Sequence, residues 1–188
     1  MKYRLNRLSA SVVALALLVS ISAAQTEVRY KELPNFRKVQ DHLYRGGQPE
    51  TCAELDYLRS LGVRRIVKLN DRGLAQDEAE KSAAARLGLE VLSWPFDAST
   101  IGTPASCPDV REALDALRAG DAPVFVHCTA GKDRTGYLIG LYERLVLRKA
   151  APDVLEELRR YGHRGARAAV FPQISRELRK ELPACAAE

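Results

Sequence analysis

Val124-Phe125-Val126-His127-Cys128-Thr129-Ala130-Gly131-Lys132-Asp133-Arg134-Thr135-Gly136 is the stretch that decides both fold and chemistry. Val124-Phe125-Val126 is wholly apolar, as in a strand buried on both faces of a parallel sheet. From Arg134 to Arg148 the pattern is helical: Leu138, Leu141, Tyr142 and Leu145 share a face, which Ile139 and Val146 widen. A strand joined to a helix by such a loop turns consecutive backbone N–H groups toward one point at a helix N-terminus, forming a cradle for an anion. Cys128 stands at the start of the loop, in positive potential that makes a thiolate available near neutral pH. Gly131 allows a backbone conformation closed to residues that carry a side chain. Arg134 offers a planar fork to two phosphate oxygens, and Thr135 offers a hydroxyl to the sulfur.

On either side of this stretch, short apolar runs alternate with helical patterns. Within Phe36 to Tyr44, Leu43-Tyr44 reads as a short strand. Thr51-Cys52-Ala53-Glu54 has capping-box spacing and starts a helix that Gly62 ends. Arg65 to Leu69 is a strand, Asn70-Asp71-Arg72-Gly73 a turn-rich loop, Ala75 to Leu87 a helix and Leu89 to Leu92 a strand. Ser93 to Ala105 carries two prolines and a glycine and reads as a long loop. Ser106 to Ala119 is helical, with Val110, Ala113, Leu114 and Leu117 at i, i+3, i+4 and i+7. Helices over Pro152 to Tyr161 and Pro172 to Leu182 close the chain, each with proline in its first turn. The alternation predicts an α/β fold with a mostly parallel central sheet flanked by helices. Ligands of such sheets bind at the C-terminal ends of the strands, which again selects the loop after Val126.

The composition is that of a globular domain: 46% of the 188 residues are hydrophobic and 28% charged. There is no low-complexity tract and no repeat, so disorder and solenoid architectures are excluded. The net charge of +5 owes three units to Lys2, Arg4 and Arg7. The rest of the chain is nearly balanced and gives a nucleic-acid partner little electrostatic support. Those three cations precede an apolar run from Leu8 to Ile21 and the small residues Ser22-Ala23-Ala24. This is the pattern of a secretory signal peptide over residues 1–24, which predicts an exported protein, periplasmic or secreted, with one domain over residues 25–188 and no stable membrane insertion after cleavage. Cys52, Cys107, Cys128 and Cys185 form no CxxC pair and no metal-ligand spacing with the three histidines, so neither metal nor other cofactor is expected. With one cysteine reserved for chemistry, the other three supply one disulfide and one odd thiol, and the spacing does not say which.

His127-Cys128-x5-Arg134-Thr135 resembles the signature of the cysteine-dependent protein tyrosine and dual-specificity phosphatases, and the context of strand, loop and helix is the one that signature needs. Leu43-Tyr44-Arg45-Gly46-Gly47-Gln48-Pro49 is similar to a strand and turn of bacterial members, and Arg65 to Leu69 resembles their central strand. The resemblance implies a dual-specificity-phosphatase-like fold and a phosphomonoester hydrolase that works through a phosphocysteine intermediate on phosphorylated protein. Gly131-Lys132-Asp133-Arg134 is similar to bacterial and fungal members, some of which act on inositol polyphosphates or phosphoinositides, the alternative substrate. It also implies that the backbone of Thr129, Ala130, Gly131, Lys132, Asp133 and Arg134 binds the phosphate, that Thr135 assists release of the thiolate, and that His127 supports the loop. Lys132 is either a solvated charge or a second cation for a polyanion. The general acid expected from the family's arrangement is Asp97, in Trp94-Pro95-Phe96-Asp97, although Phe96 interrupts the familiar Trp-Pro-Asp triplet. Asp133 is the rival, as in lipid-directed relatives with an Asp-Arg-Thr ending, and Asp109 reads rather as a helix N-terminal residue. Rhodanese-type sulfurtransferases also place a cysteine at the start of an anion loop, but theirs is shorter. A non-catalytic phosphate-binding module would lack the nucleophile or the arginine, and both are present. Arg45, Lys68 and Arg72 read as surface or structural cations, with pocket lining the lesser reading. Arg159, Arg160, His163, Arg164 and Arg167 read as a solvated basic face.

Overall fold

A computed structural model describes residues 33–120, 122–163 and 172–186. The candidate signal segment, residues 1–24, lies outside the described residues, as do Arg164 and Arg167. In chain order the elements are β1 (Arg37–Gln40), β2 (Leu43–Gly47), α1 (Cys52–Ser60), β3 (Arg65–Lys68), α2 (Leu74–Arg86), β4 (Glu90–Ser93), a 3-10 turn (Ala98–Thr100), α3 (Cys107–Arg118), β5 (Val124–Cys128), α4 (Asp133–Leu145), α5 (Ala151–Arg160), α6 (Pro172–Arg179) and a last 3-10 turn (Ala184–Ala186). The five strands form one sheet in the order β1-β2-β5-β3-β4. β5 lies between β2 and β3, parallel to both, and β4 is parallel to β3. The short edge strand β1 is antiparallel to β2 and makes the sheet mixed.

Each strand sends alternate residues to opposite faces. Leu43, Val67, Val124 and Val126 join residues of α3, α4, α5 and α6 in one core cluster, while Tyr44, Ile66 and Phe125 join Leu55 and Leu58 of α1 and Ala84 of α2 in the other. The sheet is therefore sandwiched between two helices and four. α4 passes through the larger layer and is buried from Thr135 to Glu143. The expected capping box is present: Thr51 Oγ1 accepts from Glu54 N–H, and the Glu54 carboxylate accepts from Thr51 N–H at 2.7 Å.

β2 runs three residues further than the sequence pattern suggests. Its end is Arg45-Gly46-Gly47, two poor strand formers after a charge, yet pairing continues to Gly47 opposite Cys128. Space explains the glycines: a Cβ on Gly46 would lie 2.9 Å from the Phe125 ring. Cys107 and Cys185 form a disulfide, leaving Cys52 exposed and Cys128 buried as free thiols.

Candidate active site

Cys128 is the last residue of the central strand β5, and the loop it opens is pinned from outside by its carbonyls. The Thr129 carbonyl accepts from Gln48 N–H at 3.2 Å, the Ala130 carbonyl from Asn35 Nδ2 at 2.8 Å, and the Gly131 carbonyl from Arg45 Nη2 at 2.7 Å. Three successive carbonyls fixed outward force the intervening peptide N–H groups inward. Among the described residues, nothing accepts from the N–H groups of Thr129, Ala130, Gly131 or Lys132. Gly131 sits at φ +67°, and a Cβ there would run into the backbone of Gly46 and Gly47. The cradle is thus cast against the end of β2, at a distance only glycine permits.

His127 and Cys128 are neighbours on one strand, so their side chains leave opposite faces of the sheet. Cys128 belongs to the cluster on the α4 side. His127 turns toward α2, fully buried and stacked on Phe125, with Nε2 2.9 Å from Glu80 Oε1 and Nδ1 3.4 Å from the Cys128 carbonyl. Glu80 is the hub of a buried polar layer beneath the loop. Its Oε2 accepts from Lys68 Nζ at 2.9 Å and from Gln48 Nε2 at 2.8 Å, and Lys68 is also 3.2 Å from Asp77. Asn70 Nδ2 donates to Gln48 Oε1 at 2.9 Å and to Thr129 Oγ1 at 3.2 Å, which ties this layer to the loop. Burial would raise the Glu80 carboxyl, but His127 and Lys68 outweigh it and hold the group below its ordinary value.

On the other face, Arg45 is 1% exposed, so it is a structural cation and not part of the surface. Its guanidinium lies 4.1 Å from the centre of the Tyr161 ring while it bonds the Gly131 carbonyl. Arg37 donates to Tyr161 Oη at 2.7 Å and pairs with Glu157 at 3.2 Å, so α5 is linked to the cradle. Lys68 is likewise buried and structural, whereas Arg72 is partly exposed, 3.7 Å from Glu50.

Arg134, in the first turn of α4, donates from Nη1 to the Leu69 carbonyl at 3.2 Å, which fixes one edge of its fork and leaves the rest for an oxyanion. The Thr135 hydroxyl is buried and has no partner among the described residues. Such a donor is free for a sulfur anion.

The chain as a whole matches a known family. The profile described as tyrosine phosphatase family covers residues 32–175. The chain belongs to that family. Inositol diphosphatase DSP4 of Arabidopsis thaliana is 31% identical over 148 residues, 77% of this chain and 71% of the relative. Four further curated relatives are matched over only 54 to 60% of their own length. Among solved structures, P. aeruginosa TpbA in complex with pTyr has a TM-score of 0.63 at 22% identity, covering 77% of this chain and 83% of that one. The core catalytic domain of the PP-IP phosphatase SIW14 from S. cerevisiae, in complex with citrate, has a TM-score of 0.62 at 24% identity, covering 76% and 84%. At these identities the likeness to solved structures is one of fold. Membership of a family of phosphate-ester hydrolases leaves no place for the sulfurtransferase reading.

The candidate acids stand in different surroundings. Asp97 is exposed and caps the 3-10 turn, accepting from Ser99 N–H at 2.8 Å. That hydrogen bond, together with the positive charge of Arg134, holds its carboxyl below the ordinary range. Asp133 has another engagement: its Oδ1 lies 2.7 Å from Nδ1 of His163. Asp109 lies in the first turn of α3. Lys132 lays its stem along Gly162, where a Cβ would lie 3.1 Å from Lys132 Cε.

His163 corrects the solvated-face reading, because it is 4% exposed, held between Asp133 and Ser175 Oγ at 3.5 Å. The chain turns inward after α5, which removes it from the surface that Arg159 and Arg160 occupy. Glu80, Gln48, Asn70 and Asn35 were not legible as site residues. Glu80 is one of three acids, with Asp77 and Glu78, within about one turn of an Ala- and Glu-rich helix, and only the fold says which one lies under His127. Among the described residues, no group of three or more His, Cys, Asp or Glu side chains could hold a metal ion, and no helix is long and apolar enough to cross a membrane.

Proposed function

We propose that this chain is an exported, metal-independent phosphomonoesterase that cleaves through a phosphocysteine. The observation that carries the reading is the loop itself: three carbonyls tied outward, the N–H groups of Ala130, Gly131 and Lys132 turned inward by the same peptide planes, and Cys128 and Arg134 at its two ends. Cys128 attacks phosphorus in line, the P–O bond to the leaving group breaks, and the N–H groups and Arg134 hold the equatorial oxygens as charge redistributes. Asp97 gives its proton to the leaving oxygen, then takes one from the water that attacks the phosphocysteine. Thr135 donates to the thiolate as it departs. His127, with Glu80 behind it, supports the loop. The polarity of the first 24 residues supports export.

The substrate reading is a phosphorylated protein, phosphotyrosine above all, in keeping with the family. A second reading, an inositol phosphate or diphosphate, is favoured by the relative at 31% identity named as an inositol diphosphatase and by Lys132 in the loop. The two differ in leaving group. Attack on the terminal phosphorus of a diphosphate expels the inositol phosphate monoester, a better leaving group than an alkoxide, and depends less on Asp97. Purified protein assayed in EDTA against phosphotyrosine peptides and against inositol mono- and diphosphates decides: turnover of peptides with none of the inositol series supports the first reading. The reverse supports the second, and a requirement for a divalent ion contradicts both.

A further inference from the structure

The C-terminal part of the chain reaches the Asp97 loop at three points. Gln173, in the first turn of α6, donates from Nε2 to the Ala98 carbonyl at 2.6 Å, one residue beyond Asp97. Glu177, buried one turn further on, fills the space beside Gly102, where a Cβ would lie 2.5 Å from its Cδ. Its carboxylate accepts from Ala184 N–H at 3.0 Å and pairs with Lys180 at 2.6 Å. Cys185 then closes the disulfide to Cys107, the first residue of α3, at the far end of the loop. The loop's own polar bonds are local: Ser99 N–H to Asp97 Oδ1, Thr100 Oγ1 to the Asp97 carbonyl at 3.0 Å, Ser106 Oγ to the Thr100 carbonyl at 2.9 Å. Local bonds set the shape of a turn and leave open where it stands. Phe96, buried edge-on against Tyr137, and Trp94, bonded to Glu112 at 2.6 Å, anchor the incoming limb. The outgoing limb is held from α6.

We infer that α6 and the Cys107–Cys185 link form a strut that fixes the position of the Asp97 turn, with Gln173 as its positioning residue. Gln173 does not meet the substrate; it acts through Asp97. The inference rests on the reading of Asp97 as the acid, and a misplacement of about 1 Å at such a group costs on the order of 10²-fold in rate.

The test uses Gln173→Ala, and separately Cys107→Ser with Cys185→Ser, each alone and combined with Asp97→Asn, under one mild reductant. Phenyl phosphate, a poor leaving group, and nitrophenyl phosphate, a good one, are compared. Gln173→Ala is expected to slow phenyl phosphate turnover roughly 10- to 100-fold and nitrophenyl phosphate far less. In the Asp97→Asn background it is expected to cost nothing further, because both changes remove the same contribution. Equal losses on both substrates, full additivity with Asp97→Asn, or no loss at all overturns the inference. Gln173→Ala keeps the disulfide and shortens a single half-buried polar side chain, so it decides the question even where the serine pair does not fold. If Asp97→Asn itself shows no leaving-group preference, the acid assignment fails and takes the strut with it. If Asp97→Asn shows the preference and Gln173→Ala does not, the strut alone fails.

Discussion

Gly131→Ala tests the cradle where its geometry is tightest. At φ +67° an alanine costs about 1–2 kcal/mol in backbone strain alone. The new methyl carbon would also lie 2.5 Å from the Gly46 carbonyl oxygen and 2.6 Å from Gly47 N, where ordinary contact begins at 3.4 Å. The shortfall is about 0.9 Å, and neither neighbour can yield freely because Gly46 and Gly47 are paired with His127 and Cys128. The loop must therefore retreat by several tenths of an ångström to about 1 Å, carrying the inward N–H groups with it. A displacement of that size is worth on the order of 10²-fold in kcat/KM. The strain should lower Tm by only roughly 2–8 °C for a domain of this size. Steady-state kinetics on nitrophenyl phosphate, vanadate inhibition and thermal unfolding together separate the two effects. Activity and vanadate affinity should fall together while the fold survives. A variant within about 2-fold of the parent in both would show that the loop does not bind the oxyanion through its backbone.

Asp97→Asn should slow phenyl phosphate by about 10²–10⁴-fold with a much smaller loss on nitrophenyl phosphate, whereas Asp133→Asn should slow both alike; the opposite pattern would move the acid into the loop. Opening the Cys107–Cys185 disulfide, which spans 78 residues, should destabilise the fold by up to about 4.5 kcal/mol on chain-entropy grounds, read as a lower denaturant midpoint for the double serine variant. Glu80 should contribute to the acid limb of stability. Its carboxyl is held below the ordinary value, so its contribution is complete above that value and is lost as pH falls through the lower folded one. Urea midpoints between neutral pH and about pH 3 should fall less steeply for Glu80→Gln than for the parent, from a lower plateau, and parallel curves would contradict this.

The sequence made the two ends of the site plain because they depend on local order: a strand, a loop of fixed length and a helix are contiguous, and Cys128, Gly131 and Arg134 fall within them. The α/β alternation was equally legible, since the apolar runs of Arg65–Lys68 and Val124–Cys128 and the helical period of α3 need no distant partner to be read. What holds the loop from behind was not. Asn35, Arg45, Gln48, Asn70 and Glu80 converge on it from separate segments, and each carries a residue type common on surfaces. The end of β2 was hidden by its glycines, which serve the approach of the loop and not strand propensity. His163 was misread because a histidine between arginines looks solvated until the turn after α5 is known to face inward.

In the proposed mechanism the phosphoryl group passes through Cys128. Rapid acid quench of Asp97→Asn during turnover, followed by mass analysis of the peptide bearing Cys128, tests it most directly, because loss of the base that activates water lets the intermediate accumulate. A phosphorylated Cys128 peptide should appear in step with the first release of the leaving group and be absent from Cys128→Ser, which should not turn over. Sustained turnover by Cys128→Ser, or an unmodified Cys128 throughout a burst of leaving group, would contradict it.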